Sequence, residues 1–458
     1  MFSIDDNRET LTNVLSRFQA QWHIYQKMYF YYLGITDSNK IHSFTLDGQY
    51  DDAIIDNFTD AEGAGNYNYV NDRFNHRINT NFIKRFVKEE VSYSVGVDLT
   101  YISRSGNDDI ADVIKYNFAH WDEDADANLC KNMLIYSISY ELYYINSQGE
   151  FCSKVISPRH GWAYTDDYGN VIFFLHIFRN QFDTKMYIDI YTDSEIIHCD
   201  EVFNEVADRQ VNIFGQVPIG IAQVSDEGWL DSLYNDIKSL QDSYEINLSD
   251  ISQEITEFRN AYLAFNNCQV NMDDLPEMKK KGVLQFKGDG SAQWLIKTIN
   301  DTFVQNTLKT IEEKMFQLSA HINPNEKMQS NTSSLSIRAR LLSLEEKCKL
   351  NQKALANCIK TRIKMLFSYL NSLKNMGYDY KDIKIKFTPN VPSDDLIMSQ
   401  IISQLGDKIS TQTAIAQLSF IDNPKEEMRK IQAEQETLNV GNALLDNARQ
   451  KTDSSSGS

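Results

Sequence analysis

Residues 229–262 read WLDSLYNDIKSLQDSYEINLSDISQEITEFRNAY, and their periodicity decides the fold. Leu230, Leu233, Ile237, Leu240, Tyr244, Leu248, Ile251, Ile255 and Phe258 recur at steps of three and four, the spacing of one helical face. The next segment, 263–301, is a mixed insert broken by Asp273-Asp274-Leu275-Pro276 and by Gly288-Asp289-Gly290. A second stripe follows at Val304, Leu308, Ile311, Met315, Leu318 and Ile322, and Asn323-Pro324-Asn325 stops it. After a polar loop, a third stripe runs through Ile337, Leu341, Leu344, Cys348, Leu355, Ile359, Ile363, Leu366, Leu370 and Leu373, ending near Gly377. The three predicted helices are about 50, 30 and 60 Å long at 1.5 Å per residue. Such lengths exceed what a compact single-chain core accommodates and point to a shaft built from several copies of the chain.

The remainder of the chain mixes helix and strand. A helix rich in aromatic residues is expected over 8–34, closed by Gly34, followed by a polar, turn-rich stretch over 35–75. Further helices are expected over 79–94 (with Gly96 as its cap), 108–119 and 127–138. From 140 to 225 the pattern becomes β: Tyr140–Ile145, Phe151–Ile156, Val171–Phe178, Lys185–Tyr191 and Glu195–Asp200 read as an antiparallel meander. Val217-Pro218-Ile219 leads into the long helices. Ile383–Phe387 is one short strand expected to return to the earlier sheet, and helices follow near 394–406, 411–418 and from Pro424 to about Arg449. The polar end, Thr452–Ser458, is expected to fray. This is an α+β chain.

At 458 residues and 42% hydrophobic content, the chain has room for two or three domains, each with a real core. Its start has neither the basic end nor the apolar stretch of a signal peptide, and no apolar run reaches the roughly 20 residues of a membrane span. Cys130, Cys152, Cys199, Cys268, Cys348 and Cys358 form no C-x-x-C pair, so free thiols acting as small hydrophobes are expected. The net charge of −19 argues against tight nucleic-acid binding, whose affinity comes mostly from neutralised phosphates. It remains compatible with letting DNA pass.

Catalytic signatures are missing. The Asp pairs at 51–52, 108–109, 166–167, 273–274 and 394–395 sit at expected turns and helix starts, where Asp caps backbone amides; two-metal phosphoryl chemistry is the competing reading. Asp122-x-Asp124-x-Asp126 begins like a calcium loop, but Ala127 and Met133 stand where Gly and Glu are required. His198-Cys199 lacks the further ligands of a zinc site, and neither a phosphate-binding glycine loop nor a Gly-x-Ser-x-Gly elbow occurs. No cofactor and no catalytic residue is expected.

One charge pattern stands out. Residues 229–262 carry seven acids and two bases, whereas 335–375 carry nine bases and two acids. Arg338, Lys349, Lys353, Lys360, Lys364 and Lys374 fall within about a quarter of the helical wheel, beside the apolar stripe. Three readings remain open: mating with acidic helices of neighbouring copies, a ridge touching DNA phosphates, or an ordinary solvated face.

Taken in order, several segments resemble the portal proteins of tailed bacteriophages, in the group of long-tailed phages of Gram-positive hosts. They are Asn79–Gly96 with its Tyr93-Ser-Val-Gly96 ending, Tyr136–Ile145, Ser157-Pro158-Arg159 and Val217-Pro218-Ile219. Tyr244, Ser249-Asp250, Phe258–Tyr262, Ser334–Leu342, Ser410–Leu418 and Asp422–Glu427 continue the series. Ser137 and Ser139 depart from the family's small, glycine-like position.

The resemblance implies a portal fold: a wing over 1–225 plus 382–388, stem helices at 226–262 and 302–322, a small α/β clip at 263–301, and a tunnel loop at 323–334. A long wing helix over 335–376, a helical crown over 393–450 and a tail at 451–458 complete it. It also implies a ring of about twelve copies at one capsid vertex, through which double-stranded DNA is packaged and ejected. The implied partners are the terminase large subunit, major capsid and scaffolding proteins and a head-completion protein. The implied setting is the virion, and host cytoplasm before assembly, with no membrane. Lys327, Gln329, Ser330 and Asn331 of the loop would face the DNA channel. Asp273, Asp274, Glu277, Lys279, Lys280 and Lys281 of the clip would dock the motor. The competing classes are a metal-dependent nucleic-acid enzyme and another self-assembling capsid or scaffold component.

Overall fold

The computed structural model describes residues 2–38, 77–258, 262–267, 289–295, 301–325, 334–374, 376–389, 400, 402–404, 410–415 and 427–435. They divide into two compact units, Met1–Pro389 and Asn390–Ser458. In chain order the first unit contains α1 (Ile4–Leu33), α2 (Phe82–Val95), β1 (Thr100–Ser103), α3 (Asp108–Phe118), α4 (Ala125–Tyr136), β2 (Ile138–Ile145) and β3 (Phe151–Ile156). Strands β4 (Gly161–Thr165), β5 (Val171–Arg179), β6 (Met186–Tyr191), β7 (Glu195–Asp200), β8 (Gln210–Val211) and β9 (Ile219–Gln223) follow. Then come α5 (Leu233–Phe258), β10 (Tyr262–Asn266), β11 (Ser291–Leu295), α6 (Asp301–Leu318), α7 (Ser334–Lys374) and β12 (Ile383–Lys386). In the second unit, α8 spans Thr411–Ile415 and starts after Ser410, whose hydroxyl accepts from the Thr413 amide at 3.2 Å. Residues 427–435 are also helical.

Helix α1 starts four residues earlier than its periodicity indicates, because Ser3 caps it by accepting from the Asp6 amide. Gly34, at φ 88°, closes it as expected, a left-handed position that glycine occupies without steric cost. Its first half packs Leu11, Val14 and Phe18 against Phe173, Leu175, Ile188 and Ile197 of the larger sheet. Its second half sends Tyr25, Met28 and Tyr31 into the main core. One helix therefore ties two cores together.

The expected single meander is two sheets. One is three-stranded, ordered β3-β2-β9, and the other is five-stranded, ordered β4-β5-β6-β7-β8. The returning strand β12 pairs with neither. It lies antiparallel to β1, a strand not expected from the sequence, with Tyr101 opposite Ile385. Asp382 reinforces this junction by accepting from Ser103, from the Ser105 amide and from the Ser105 hydroxyl. The insert between α5 and α6 contains a two-stranded antiparallel ribbon, β10 with β11.

Helix α7 is the spine of the first unit. Leu355, Ile359, Ile363, Leu366, Phe367 and Leu370 are buried in the main core. The expectation that its stripe faces other copies therefore fails over this stretch, where the stripe is covered by α2 and by strand β9. Close approach of β9 depends on Gly220, where an added Cβ would collide with the Tyr143 hydroxyl and stand 2.7 Å from the Cys358 sulfur.

Helices α5 and α6 behave differently. Tyr244 of α5 and Phe316 of α6 both pack edge-on to Phe82, which anchors the start of one helix beside the end of the other. Burial then fades away from this base. Ile237 and Met315 are fully buried, whereas Ile255 is 53% and Phe303 68% exposed. Along the pair Leu308 stays buried and Leu248, Ile251 and Val304 are half-buried, so the exposed apolar side chains are Ile255, Phe303 and Leu318. Leu230, expected at the head of that stripe, lies in a short 3-10 turn at Gly228–Leu230 and is half exposed.

Candidate functional site

Lys349, Lys353, Lys360 and Lys364 are all exposed along α7. The backbone of Arg338 and Lys374 lies within the same helix, and their side chains are outside the described residues. Lys349 pairs with Glu345 at 2.9 Å, and Lys364 stands 6.0 Å from the Tyr380 ring centre. Lys353 and Lys360 make no ion pair among the described residues.

The helical wheel also explains two bases left out of that row. Arg362 turns inward, 2.7 Å from Asp126 and 2.8 Å from Glu141. Lys347 reaches Glu90 at 2.7 Å and the Ser319 carbonyl at 3.2 Å.

The acids of α5 are largely used within the subunit. Asp242 accepts from the Tyr31 hydroxyl at 2.8 Å and pairs with Lys238 at 2.7 Å. Glu245 is fully buried and accepts from Thr36, Ser38, Thr80 and Gln241. Burial raises the Asp236 carboxyl above its ordinary value, against the lowering influence of Lys347. An acidic face on α5 free to mate with a neighbour's α7 is therefore much thinner than the composition of 229–262 implies.

A second polar cluster joins α2, the end of α6 and α7. Glu90 is 1% exposed and accepts from Lys347 and from the Asn351 amide at 2.7 Å. His321 stacks on Phe86 with ring centres 4.3 Å apart. Its two ring nitrogens lie 2.7 Å from the Ser319 carbonyl and 3.2 Å from the Phe86 carbonyl. Burial, then Lys347, holds its imidazole down to about 3. Four residues on, the Asn325 side chain donates to Glu312 at 2.8 Å. This cluster braces the chain on the near side of residues 326–333. Its sequence signal was faint: polar residues adjoining an apolar stripe.

The loop residues Lys327, Gln329, Ser330 and Asn331 lie outside the described residues, as do Asp273, Asp274, Glu277, Lys279, Lys280 and Lys281. The Asp pairs at 51–52, 273–274 and 394–395 also lie outside them. Asp166 accepts from the Tyr168 and Asn170 amides, as a turn-capping residue does. At the start of α3 the cap is Asn107, which accepts from the Asp109 amide. His198 and Cys199 part company across β7: His198 meets Asp189 at 2.5 Å, while Cys199 is buried in the core beneath the sheet. Among the described residues no group of three His, Cys, Asp or Glu is placed to hold a metal ion.

Residues 12–440 match the family described as phage portal protein, SPP1 Gp6-like. The chain belongs to this family of phage portal proteins. The match takes in α5, α6 and α7 together with the insert and loop between them. The portal protein of Bacillus phage SPP1 is 22% identical over 408 residues, covering 81% of this chain and 79% of that protein. Among solved structures, a chain in the neck of an empty gene transfer agent particle is 12% identical, with a TM-score of 0.45 over 76% of this chain and 88% of that one. A chain in the native gene transfer agent virion gives 11% identity and a TM-score of 0.42 over the same shares.

This portal protein is thus a structural component of a bacteriophage particle that assembles as a ring in the capsid. None of its described helices is long and apolar enough to cross a membrane. Ser137 ends α4 at φ 63°, in the left-handed region glycine favours, and its hydroxyl bonds the Asp231 carbonyl at 2.7 Å.

Proposed function

We propose that about twelve copies of this portal protein form a ring at one capsid vertex, through which double-stranded DNA enters during packaging and leaves during ejection. The match over residues 12–440 carries this reading. The uncovered apolar ends of α5 and α6 support it, since a neighbouring copy would bury them. In this reading residues 1–225 with 382–388 are the wing, 226–262 and 302–322 the stem, and 263–301 the clip. Residues 323–334 are the tunnel loop, 335–376 the long wing helix, 393–450 the crown and 451–458 a tail.

The conduit works by declining to hold its cargo. Each fixed phosphate contact releases counterions and adds affinity that a motor must then break. A chain of net charge −19 keeps that grip weak. In the segment 326–331, EKMQSN, the single cation Lys327 is offset by Glu326. The clip, with Asp273, Asp274 and Glu277 beside Lys279, Lys280 and Lys281, docks the terminase large subunit and later a head-completion protein. The wing meets the capsid and scaffolding proteins. The chain itself performs no catalysis, and before assembly it resides in the host cytoplasm.

Negative-stain images of the purified chain test the assignment: annular particles with an open axis are expected. A magnesium-dependent nuclease or ATPase activity of the pure chain would replace it with the enzyme reading. Charge reversal at Lys279, Lys280 and Lys281 is expected to leave rings intact and abolish packaging, and normal packaging by that variant would remove the docking role.

A further inference from the structure

A cleft of about 940 Å³ opens between the two sheets. One wall is the end of β2, from Leu142 to Ile145, with Lys154 of β3. The other is the face of the five-stranded sheet turned away from α1. Along β5, β6 and β7 that face carries one polar row: His176 stands opposite Asp189, and Asp189 opposite His198. His198 engages one Asp189 oxygen through Nδ1 at 2.5 Å. His176 is 7% exposed, and its Nδ1 has no hydrogen-bond partner. That nitrogen lies 3.8 Å from the other Asp189 oxygen, too far for a hydrogen bond. A buried polar atom in this state is costly unless something fills the gap.

A hydroxyl fits it. The carboxylate beside His176 favours the tautomer with hydrogen on Nδ1, and an oxygen about 2.8 Å from both atoms donates to Asp189 and accepts from Nδ1–H. The charged lining is balanced, Lys154 and Arg179 against Asp189 and Asp208, which suits a neutral occupant. The row lies among rings: His176 stacks on Phe178 at 4.8 Å and His198 on Tyr187 at 5.3 Å. A serine or threonine hydroxyl sits too near its own backbone to reach so deep. Tyrosine carries its hydroxyl at the tip of a rigid ring that packs on other rings.

The surroundings of the cleft are those of a protein contact. On its walls Tyr144 is 42%, Val211 77% and Ile213 50% exposed. At its mouth the turn Asn180–Asp183, closed by the Asp183 amide on the Asn180 carbonyl at 3.0 Å, adds Asn180 and Gln181 to the lining. Phe182 in that turn is 97% exposed and held at φ 67°, a left-handed position that a bulky side chain occupies only at a steric cost. A strained turn that offers an aromatic ring to solvent points to a binding role, and aromatic anchors are what interface cores enrich.

We propose that this cleft seats a tyrosine of another protein of the particle, with Phe182 packing on the chain that carries it. The inference rests on the particle role above and names one contact of the wing. Cleft and Phe182 form one continuous patch, whereas a head-to-tail ring uses two separate patches on each copy, so a second copy is the alternative the experiment must reject.

Calorimetric titration of the full chain compares acetyl-Gly-Tyr-Gly-amide with acetyl-Gly-Phe-Gly-amide. The tyrosine peptide is expected to bind about tenfold more tightly or better, since a site built around a hydroxyl rejects the analogue lacking it. His176→Phe keeps the stack on Phe178 and removes the ring nitrogens; it is expected to erase that difference while circular dichroism stays unchanged. His176→Phe and Phe182→Ser are each expected to form rings in parental yield yet to enter particles several-fold less often. Equal binding of the two peptides, binding of neither, binding of glucose in their place, or a tyrosine preference that survives His176→Phe would overturn the inference. Loss of rings in either variant would give the cleft to a second copy, and parental entry into particles by both would remove the partner; each outcome overturns the assignment. If the unaltered chain forms no ring, the ring reading falls, while the titration still decides what the cleft binds.

Discussion

The guanidinium of Arg362 lies 2.8 Å from the carboxylate of Glu141, and the two side chains are 2% and 1% exposed. Nε adds a directed hydrogen bond to Glu141 at 3.1 Å, and the Tyr143 hydroxyl donates to the same carboxylate at 2.9 Å. The pair joins the spine helix α7 to the central strand of the three-stranded sheet. Removing one member strands the other in the core, which costs about 3–5 kcal/mol. Arg362→Met is expected to lower the unfolding free energy by that amount in urea titrations. Arg362→Met combined with Glu141→Leu is expected to lose less than either change alone, because no charge is left in the fully buried site and Asp126, the other partner of Arg362, is 28% exposed.

His321 makes stability acid-sensitive. Its folded value of about 3 lies below the ordinary 6.5, so the unfolded chain takes up the proton first as pH falls. Stability from this group is complete above pH 6.5 and is lost progressively towards pH 3, on the order of 4 kcal/mol over the full window. Denaturation at pH 7.5 and pH 5 is expected to show the loss. His321→Phe keeps the stack on Phe86 but removes the single N–H of the neutral imidazole, leaving one of the Ser319 and Phe86 carbonyls without its donor. It is expected to be less stable at pH 7.5, with a flatter profile between the two pH values.

Helices were legible wherever local signals agreed. The three-four spacing located α5, α6 and α7, and Gly34 marked the end of α1. Strand β1 was illegible because it has four residues and its partner β12 lies 280 residues away, a pairing no local pattern reports. Likewise β4 hid behind the turn at Asp166, where a register shift at Thr165 breaks the alternation. The lysine row could be read from the wheel because exposure follows rotation about one axis. The fate of the α5 acids could not, since Glu245 is satisfied by Thr36, Ser38 and Thr80 from distant segments.

Gly220 sets the distance between β9 and the spine helix. A Cβ there would displace the Tyr143 hydroxyl from Glu141 and press on Cys358. Gly220→Ala is expected to cost about 1–3 kcal/mol, the usual penalty of overpacking. Thermal unfolding of the variant checks this, and Cys358→Ala in the same background is expected to recover part of the loss by making room.

Phe303 and Ile255 separate assembly from folding. Both are more than half exposed in the single chain, far from the buried base at Ile237 and Met315. Replacing either by Asp therefore changes monomer stability by no more than about 0.5 kcal/mol, as for most surface sites. On the proposed ring reading a neighbour covers the same side chains, and full burial of one such residue contributes about 1.5–3 kcal/mol per contact. That loss recurs at every interface around the ring. Ile255→Asp and Phe303→Asp are thus expected to melt as the parent monomer does and to remain monomeric in light scattering at concentrations where the parent forms rings. Rings of parental yield from both variants would mean that the outer part of the α5–α6 pair faces solvent or DNA, not another copy.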